Sequence, residues 1–213
     1  FPLLINPYGG NVLIGGTTFD NGNFSGSANG LNVFDATHPI INVIESTGST
    51  SMYMGKTTSQ GYIGTADAQG IGIYTNDTLS QLIDSDGHVT MPRQSSVGVQ
   101  LTDQDNMATT PTTLDFDTER FDQNGDFNTS TNTFTAPVTG RYLVCVNLYM
   151  KNTDNAADYY QLYITSSNKT YYSIYDPDVS TDSAYWDMSW SAVIDMDESD
   201  TVYFRMNQYI VDN

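Results

Sequence analysis

Thr131-Asn132-Thr133-Phe134-Thr135-Ala136-Pro137-Val138-Thr139-Gly140-Arg141-Tyr142 is the stretch on which the fold turns. Strand-favouring Thr and Phe run into Pro137, which has no N–H to give to a ladder. Three residues later Gly140 releases the chain from that corner into a new strand. Beyond it Tyr142, Val144, Val146, Leu148 and Met150 alternate with Leu143 and Cys145 on the opposite side. A period of two places one row against a core and the other outside it. The same period marks Val97, Val99 and Leu101, then Leu162 and Ile164, then Tyr171 to Tyr175. It returns in Trp186, Met188, Trp190, Ala192 and Ile194, and in Val202, Phe204, Met206 and Ile210. Turn clusters at Asp122-Gln123-Asn124-Gly125-Asp126 and Asp195-Met196-Asp197-Glu198-Ser199-Asp200 separate these runs. No apolar residues recur at helical spacing over three turns. Residues 94–213 are therefore expected to form a two-sheet sandwich or jelly roll. Its expected core includes Tyr142, Val144, Trp186, Trp190 and Phe204, and its lone thiol, Cys145, is expected to be buried.

Working upstream, residues 1–93 are thinner in large apolar side chains. Short β-type pieces recur loosely at Val12–Thr17, Leu31–Phe34, Ile40–Ile44, Tyr62–Thr65 and Ile71–Thr75. Strands this short bury too little apolar area to stand alone. They become plausible when three chains wrap together and share one narrow core. Leu82 to Thr90 reads as a hairpin turning on Asp84-Ser85-Asp86-Gly87.

Composition narrows the function. The chain has 213 residues, with 7 Lys and Arg against 25 Asp and Glu and a net charge of −18. Its 22 Asp, 27 Thr and 19 Ser, with 15 Tyr and 9 Phe, suit strands and turns rather than helices or a disordered acidic chain. Nothing offers the clustered cations that phosphate backbones or anionic membranes require. No apolar run reaches the ~18 residues of a membrane-spanning helix. One cysteine precludes an internal disulfide. The chain opens on Phe1 with no leader pattern, as expected of a processed chain or a piece of a longer one.

Phe134-Thr135-x-Pro137-x-x-Gly140-x-Tyr142 resembles the signature of the globular head of complement's first component, a member of the tumour-necrosis-factor-like jelly-roll superfamily. Phe121-Asp122-Gln123-Asn124-Gly125-Asp126-Phe127 upstream, which resembles the family's Asn-x-Gly turn, and Asp200-Thr201-Val202-Tyr203-Phe204 downstream are similar to further parts of that pattern. Ser199 departs from it, standing where the family usually has Gly. Ile5-Asn6-Pro7-Tyr8-Gly9-Gly10-Asn11-Val12-Leu13-Ile14-Gly15 resembles repeats of bacteriophage tail fibres. Gly87-His88-Val89-Thr90-Met91-Pro92 is similar to the junction that precedes such a head in viral fibres. Together these resemblances imply an all-β homotrimer, with an intertwined stalk over 1–93 and a jelly-roll head over 94–213. They imply the distal part of a virion tail fibre or other external appendage. Its partners would be a host cell-surface glycan or protein and other fibre or baseplate proteins. Attachment without catalysis is the expected role. A structural virion decoration protein, a secreted cellular adhesin or surface filament, and a polysaccharide-degrading tailspike are the alternatives.

Two residue types supply the candidate sites. Tyrosines between 159 and 185 offer ring faces, and nearby Asp offers hydrogen bonds, a pairing that suits sugars. Tyr171, Tyr175, Asp176, Asp178, Asp182 and Tyr185 are the expected receptor contacts, with residues 176–183 as a tip loop. Packing between subunits is the plainer reading of the same tyrosines. Asp154, Asp158, Asp176 and Asp178 are oxygen donors of the kind Ca²⁺ takes, although no complete calcium loop is present. A solvated acidic surface is the plainer reading there, and no cofactor is otherwise implied. His38 and His88 are the only histidines, and neither belongs to a nucleophile motif.

Overall fold

A computed structural model describes residues 12–14, 31–33, 40–44, 51–57, 59–66, 68–104 and 107–210. The motif at Asn6 to Asn11 and the turn at His38 lie outside them. The chain divides into two compact units, residues 1–92 and 93–213. All described regular elements are strands.

In the first unit β1 (Val12–Ile14) pairs in parallel with β2 (Leu31–Val33). β3 (Ile40–Ile44), β4 (Ser51–Lys56) and β5 (Gly61–Thr65) form an antiparallel sheet in that order. β6 (Ile71–Thr75), β7 (Thr78–Ile83) and β8 (Val89–Thr90) form another. Local chemistry sets both turns of this last sheet. Asn76 and Asp77 take left-handed φ of 49° and 56°, the geometry of a two-residue hairpin that Asn and Asp tolerate. Between β7 and β8, Asp84 Oδ1 accepts the N–H groups of Asp86 and His88, both at 2.9 Å, and Gly87 supplies a φ of 88°. From Met52 to Pro92 no described side chain is buried. Met54 and Ile63 are 51% and 54% exposed, and they face each other across β4 and β5.

The second unit is a sandwich. β12 (Phe127–Asn128), β13 (Thr133–Thr135), β18 (Thr201–Tyr209), β15 (Tyr159–Ser166) and β16 (Thr170–Tyr175) run in that order. β10 (Thr112–Thr113) also pairs with β18. Against this sheet lies the ladder of β14 (Gly140–Thr153) and β17 (Ser183–Met196). β9 (Val97–Gln100) pairs with β11 (Thr118–Asp122) and adds Val99 to the same core. The core joins Val146, Leu148 and Met188 of the ladder to Tyr160, Leu162 and Met206 of the sheet. A second cluster joins Ile194 and Met196 to Ile164, Val202 and Ala136.

The corner behaves as its residues dictate. Tyr142 donates its hydroxyl to the Val138 carbonyl at 2.6 Å, and its ring meets Phe134 at 5.5 Å. The turn at 197–200 locks onto that corner. Ser199 N–H donates to the Ala136 carbonyl and Ala136 N–H to the Asp200 carbonyl, both at 2.8 Å. Ser199 does so with φ at 73°, so the departure from Gly leaves the glycine-type backbone in place.

Two core expectations need correction. Tyr142, Val144, Trp186, Trp190 and Phe204 face inward but are half-buried. The deepest side chains are instead Leu162, Ile164, Ile194, Met196 and Met206. Cys145 is exposed. It shares the outward row of β14 with Leu143, and no described element covers that row.

Candidate functional site

Register decides which tyrosines are offered to a ligand. In β15 the residues Tyr160, Leu162, Ile164 and Ser166 are buried, so Tyr159, Gln161, Tyr163 and Thr165 point outward. β16 pairs Tyr171 with Ile164 and Tyr175 with Tyr160, which turns Tyr171 and Tyr175 toward the core. Tyr175 meets the Trp186 ring edge-on at 4.8 Å, and Tyr171 packs on the Ile164 cluster with Lys169 Nζ 4.8 Å from its ring centre. Tyr172, opposite Tyr163, takes the outward place instead and is 61% exposed. β18 adds Tyr203, Arg205 and Tyr209 to that outward face, opposite Thr165, Tyr163 and Tyr159.

The result is an aromatic face on the six-stranded sheet. Tyr159 and Tyr209 stack with ring centres 4.8 Å apart. Tyr163 donates its hydroxyl to Gln161 Oε1 at 2.7 Å. Burial holds the Tyr163 hydroxyl above the ordinary phenol range, with Tyr159 adding to the rise and Arg205 opposing it. Tyr163 therefore keeps its hydroxyl proton through physiological pH and can donate it.

The other expected contacts lie elsewhere. Asp176, Asp178 and Asp182 are exposed in the segment between β16 and β17, Asp178 with a φ of 39°. Tyr185 is on the outward row of β17, stacked on Tyr149 at 5.4 Å. The six residues do not form one patch, because strand register sends Tyr171 and Tyr175 to one side of their sheet and Tyr185 lies on the opposite layer.

The aspartate clusters show why they are acidic. Asp182 Oδ1 accepts the Asn155 N–H at 3.0 Å, and Asp154 Oδ1 accepts the Ala156 N–H at 2.9 Å. The first bond fastens one loop to another, and the second closes the turn at Asp154 on itself. Asp122 accepts from Asn124, Gly125, Asp126 and Phe127 at 2.7 to 3.3 Å. Partial burial pushes its carboxyl up, but the four N–H donors outweigh that and hold it below the usual range. Among the described residues, Asp84, Asp86 and His88 are the one set of three metal-ligating side chains with donor atoms within 4.8 Å of one another. Asp154, Asp158, Asp176 and Asp178 do not form such a set. Sequence reading missed the hairpin group because its histidine stands two residues past the aspartate pair, in a turn that looks merely structural. Asp84 Oδ2 pairs with His88 Nδ1 at 3.0 Å. An imidazole beside carboxylates suits a borderline metal better than Ca²⁺.

The fold and this site define an antiparallel jelly-roll sandwich with an open aromatic face. Residues 97–213 match the family described as C1q domain, and the chain belongs to that family. Among solved structures the chain is similar to the globular domain of zebrafish complement 1qA protein. That match has 19% identity, 56% of this chain and 80% of the other covered, and a TM-score of 0.40. No curated protein matches.

Proposed function

We propose that the protein is the distal part of a homotrimeric fibre that attaches a virion to a host cell-surface glycan, without catalysis. The observation that carries the reading is the exposed apolar surface of the first unit. Its strands from residue 52 onward bury no side chain within one chain, yet present Met52, Met54, Ile63 and Ile73. Soluble chains rarely leave such surface uncovered, and two further copies cover it in an intertwined stalk. In the second unit, the outward row of β14 and β17 pairs Leu143 with Val193, 70% and 62% exposed, and supports a subunit contact there too. The outward tyrosines of the six-stranded sheet then remain for the receptor, with Asp176, Asp178, Asp182 and Tyr185 as outlying contacts. Other fibre or baseplate proteins hold the stalk end.

Light scattering on the purified chain tests this. A particle of about 70 kDa, three times the 23.5 kDa chain, is expected. The Ile63→Asp/Ile73→Asp double variant should fall to one chain. A wild-type monomer overturns the trimer. A trimer that adsorbs to no cell of the virus's host overturns attachment and leaves a decorative role.

A further inference from the structure

The chain carries 25 carboxylates. None of the six strands of the β12-β13-β18-β15-β16 sheet with β10 contains Asp or Glu. In the middle of its outward face stands Arg205, between Thr113 of β10 and Tyr163 of β15. Its guanidinium carbon lies 5.3 Å from the Tyr163 ring centre and 5.8 Å from that of Tyr203. Its Nε donates to Thr165 Oγ1 at 3.2 Å. The ion pairs among the described residues are Asp84 with His88 and Arg141 with Asp195, so Arg205 is in neither. Its two terminal nitrogens have no hydrogen-bond partner among the described residues.

This is an unusual place for an unpaired cation. Carboxylates outnumber cations more than threefold in this chain, and Arg141 on the opposite layer has its Asp195. Arg205 is half-buried, its guanidinium near two rings and its Nε on a threonine, with its terminal nitrogens unpartnered among the described residues. An arginine fork held in one orientation matches a carboxylate bidentately and loses little freedom on binding it. Rings at Tyr163, Tyr203 and the exposed Tyr172 supply flat faces on which a pyranose can stack. The missing aspartates matter as much as the arginine. A carboxylate on this face would pair with Arg205 and repel an anionic ligand.

We infer that this face binds an acidic sugar of the uronate or sialate type, its carboxylate on the Arg205 fork and its ring on the flanking tyrosines. The inference rests on the attachment reading and names the glycan class it takes. Repulsion from the −18 chain acts over about a Debye length, ~8 Å at physiological salt, so binding is expected to strengthen as salt rises from very low values and then weaken as the contact itself is screened.

The test uses the full chain on an array of neutral, carboxylated and sulfated glycans, with wild type, Arg205→Met and Arg205→Lys compared. Native mass and circular dichroism of each variant establish that assembly and fold are kept. Methionine keeps the packing on the rings and removes the fork, while lysine keeps the charge and loses the bidentate geometry. Carboxylated glycans should bind selectively, at least tenfold more weakly in Arg205→Met, with Arg205→Lys intermediate. Equal binding of neutral glycans, a preference for sulfated ones alone, or no effect of Arg205→Met in an intact particle overturns the inference while attachment stands. Adsorption to cells with no glycan bound also overturns it and points to a protein receptor. Failure to bind either cells or glycans overturns both readings.

Discussion

The two units use the same kind of strand to different ends. In the second, a six-stranded sheet and the long β14–β17 ladder face each other, and Leu162 and Ile164 are sealed completely between them. In the first, three-stranded sheets with comparable residues, Ile63, Ile73 and Met54, leave those side chains in solvent. Apolar content alone does not make a core. Alternation must be long enough for two layers to be filled by one chain, and among the described residues this is achieved within 93–213. The described core of the second unit is filled by one chain, whereas from Met52 to Pro92 no described side chain is buried within one chain.

The contrast can be broken at its strongest point. Leu162→Ala opens a cavity in a fully sealed core, with an expected cost of about 3 kcal/mol in a denaturant melt. That loss should appear at any protein concentration, while the transition of the first unit should move with concentration if copies share its core. A Leu162→Ala melt that also shifts with concentration would show that the second unit borrows stability as well. A smaller effect sharpens the comparison at a turn. Asp122→Asn removes the charge that gathers four N–H groups and should cost about 1–2 kcal/mol, discounted for partial exposure. Because the folded carboxyl lies below its unfolded value of about 4, this contribution is present above that pH and lost as pH falls through the folded value. The wild-type and variant melts should therefore converge in acid, and parallel curves down to pH 2 would discredit the cap. The smallest effect has the opposite sign. Ser199→Gly relieves a left-handed backbone at φ 73° and should stabilise the second unit by about 0.5–1 kcal/mol, raising its melting temperature only. A fall would show that the serine hydroxyl matters more than the strain.

Much of the second unit was legible because its signal is local. Period-two alternation from Tyr142 to Met150 and from Trp186 to Ile194 identifies β14 and β17, whose residues Tyr142 and Ile194 pair directly. The hairpin at Asp84 to His88 was readable for the same reason, since its turn is built from adjacent residues. What was not legible depends on distant register. Alternation within Tyr171 to Tyr175 says that half face outward, but not which half. Only the pairing of Tyr171 with Ile164 settles it, and it favours Tyr172. Arg205 escaped notice because its rings, Tyr163 and Tyr203, come from two strands, and because an absence of aspartate is visible only once strands are grouped into a sheet. Cys145 was misplaced by treating an apolar neighbourhood in sequence as burial, although alternation had already put it opposite Val144 and Val146.

The place of β18 has a consequence for how the chain comes into being. This last described strand is not at an edge but in the interior of its sheet, bonded to β10, β13 and β15. Thr112 and Thr113 wait for Met206 and Arg205, more than ninety residues behind them. During synthesis at ~5–20 residues per second, the earlier strands must therefore leave the ribosome and persist for several seconds with a gap where the central one belongs. Pairings this remote in sequence also close slowly. Such a nascent chain exposes unpaired strand edges in the crowded period before its last strand arrives, and its many aspartates, by mutual repulsion, keep neighbouring copies apart until each sheet is complete.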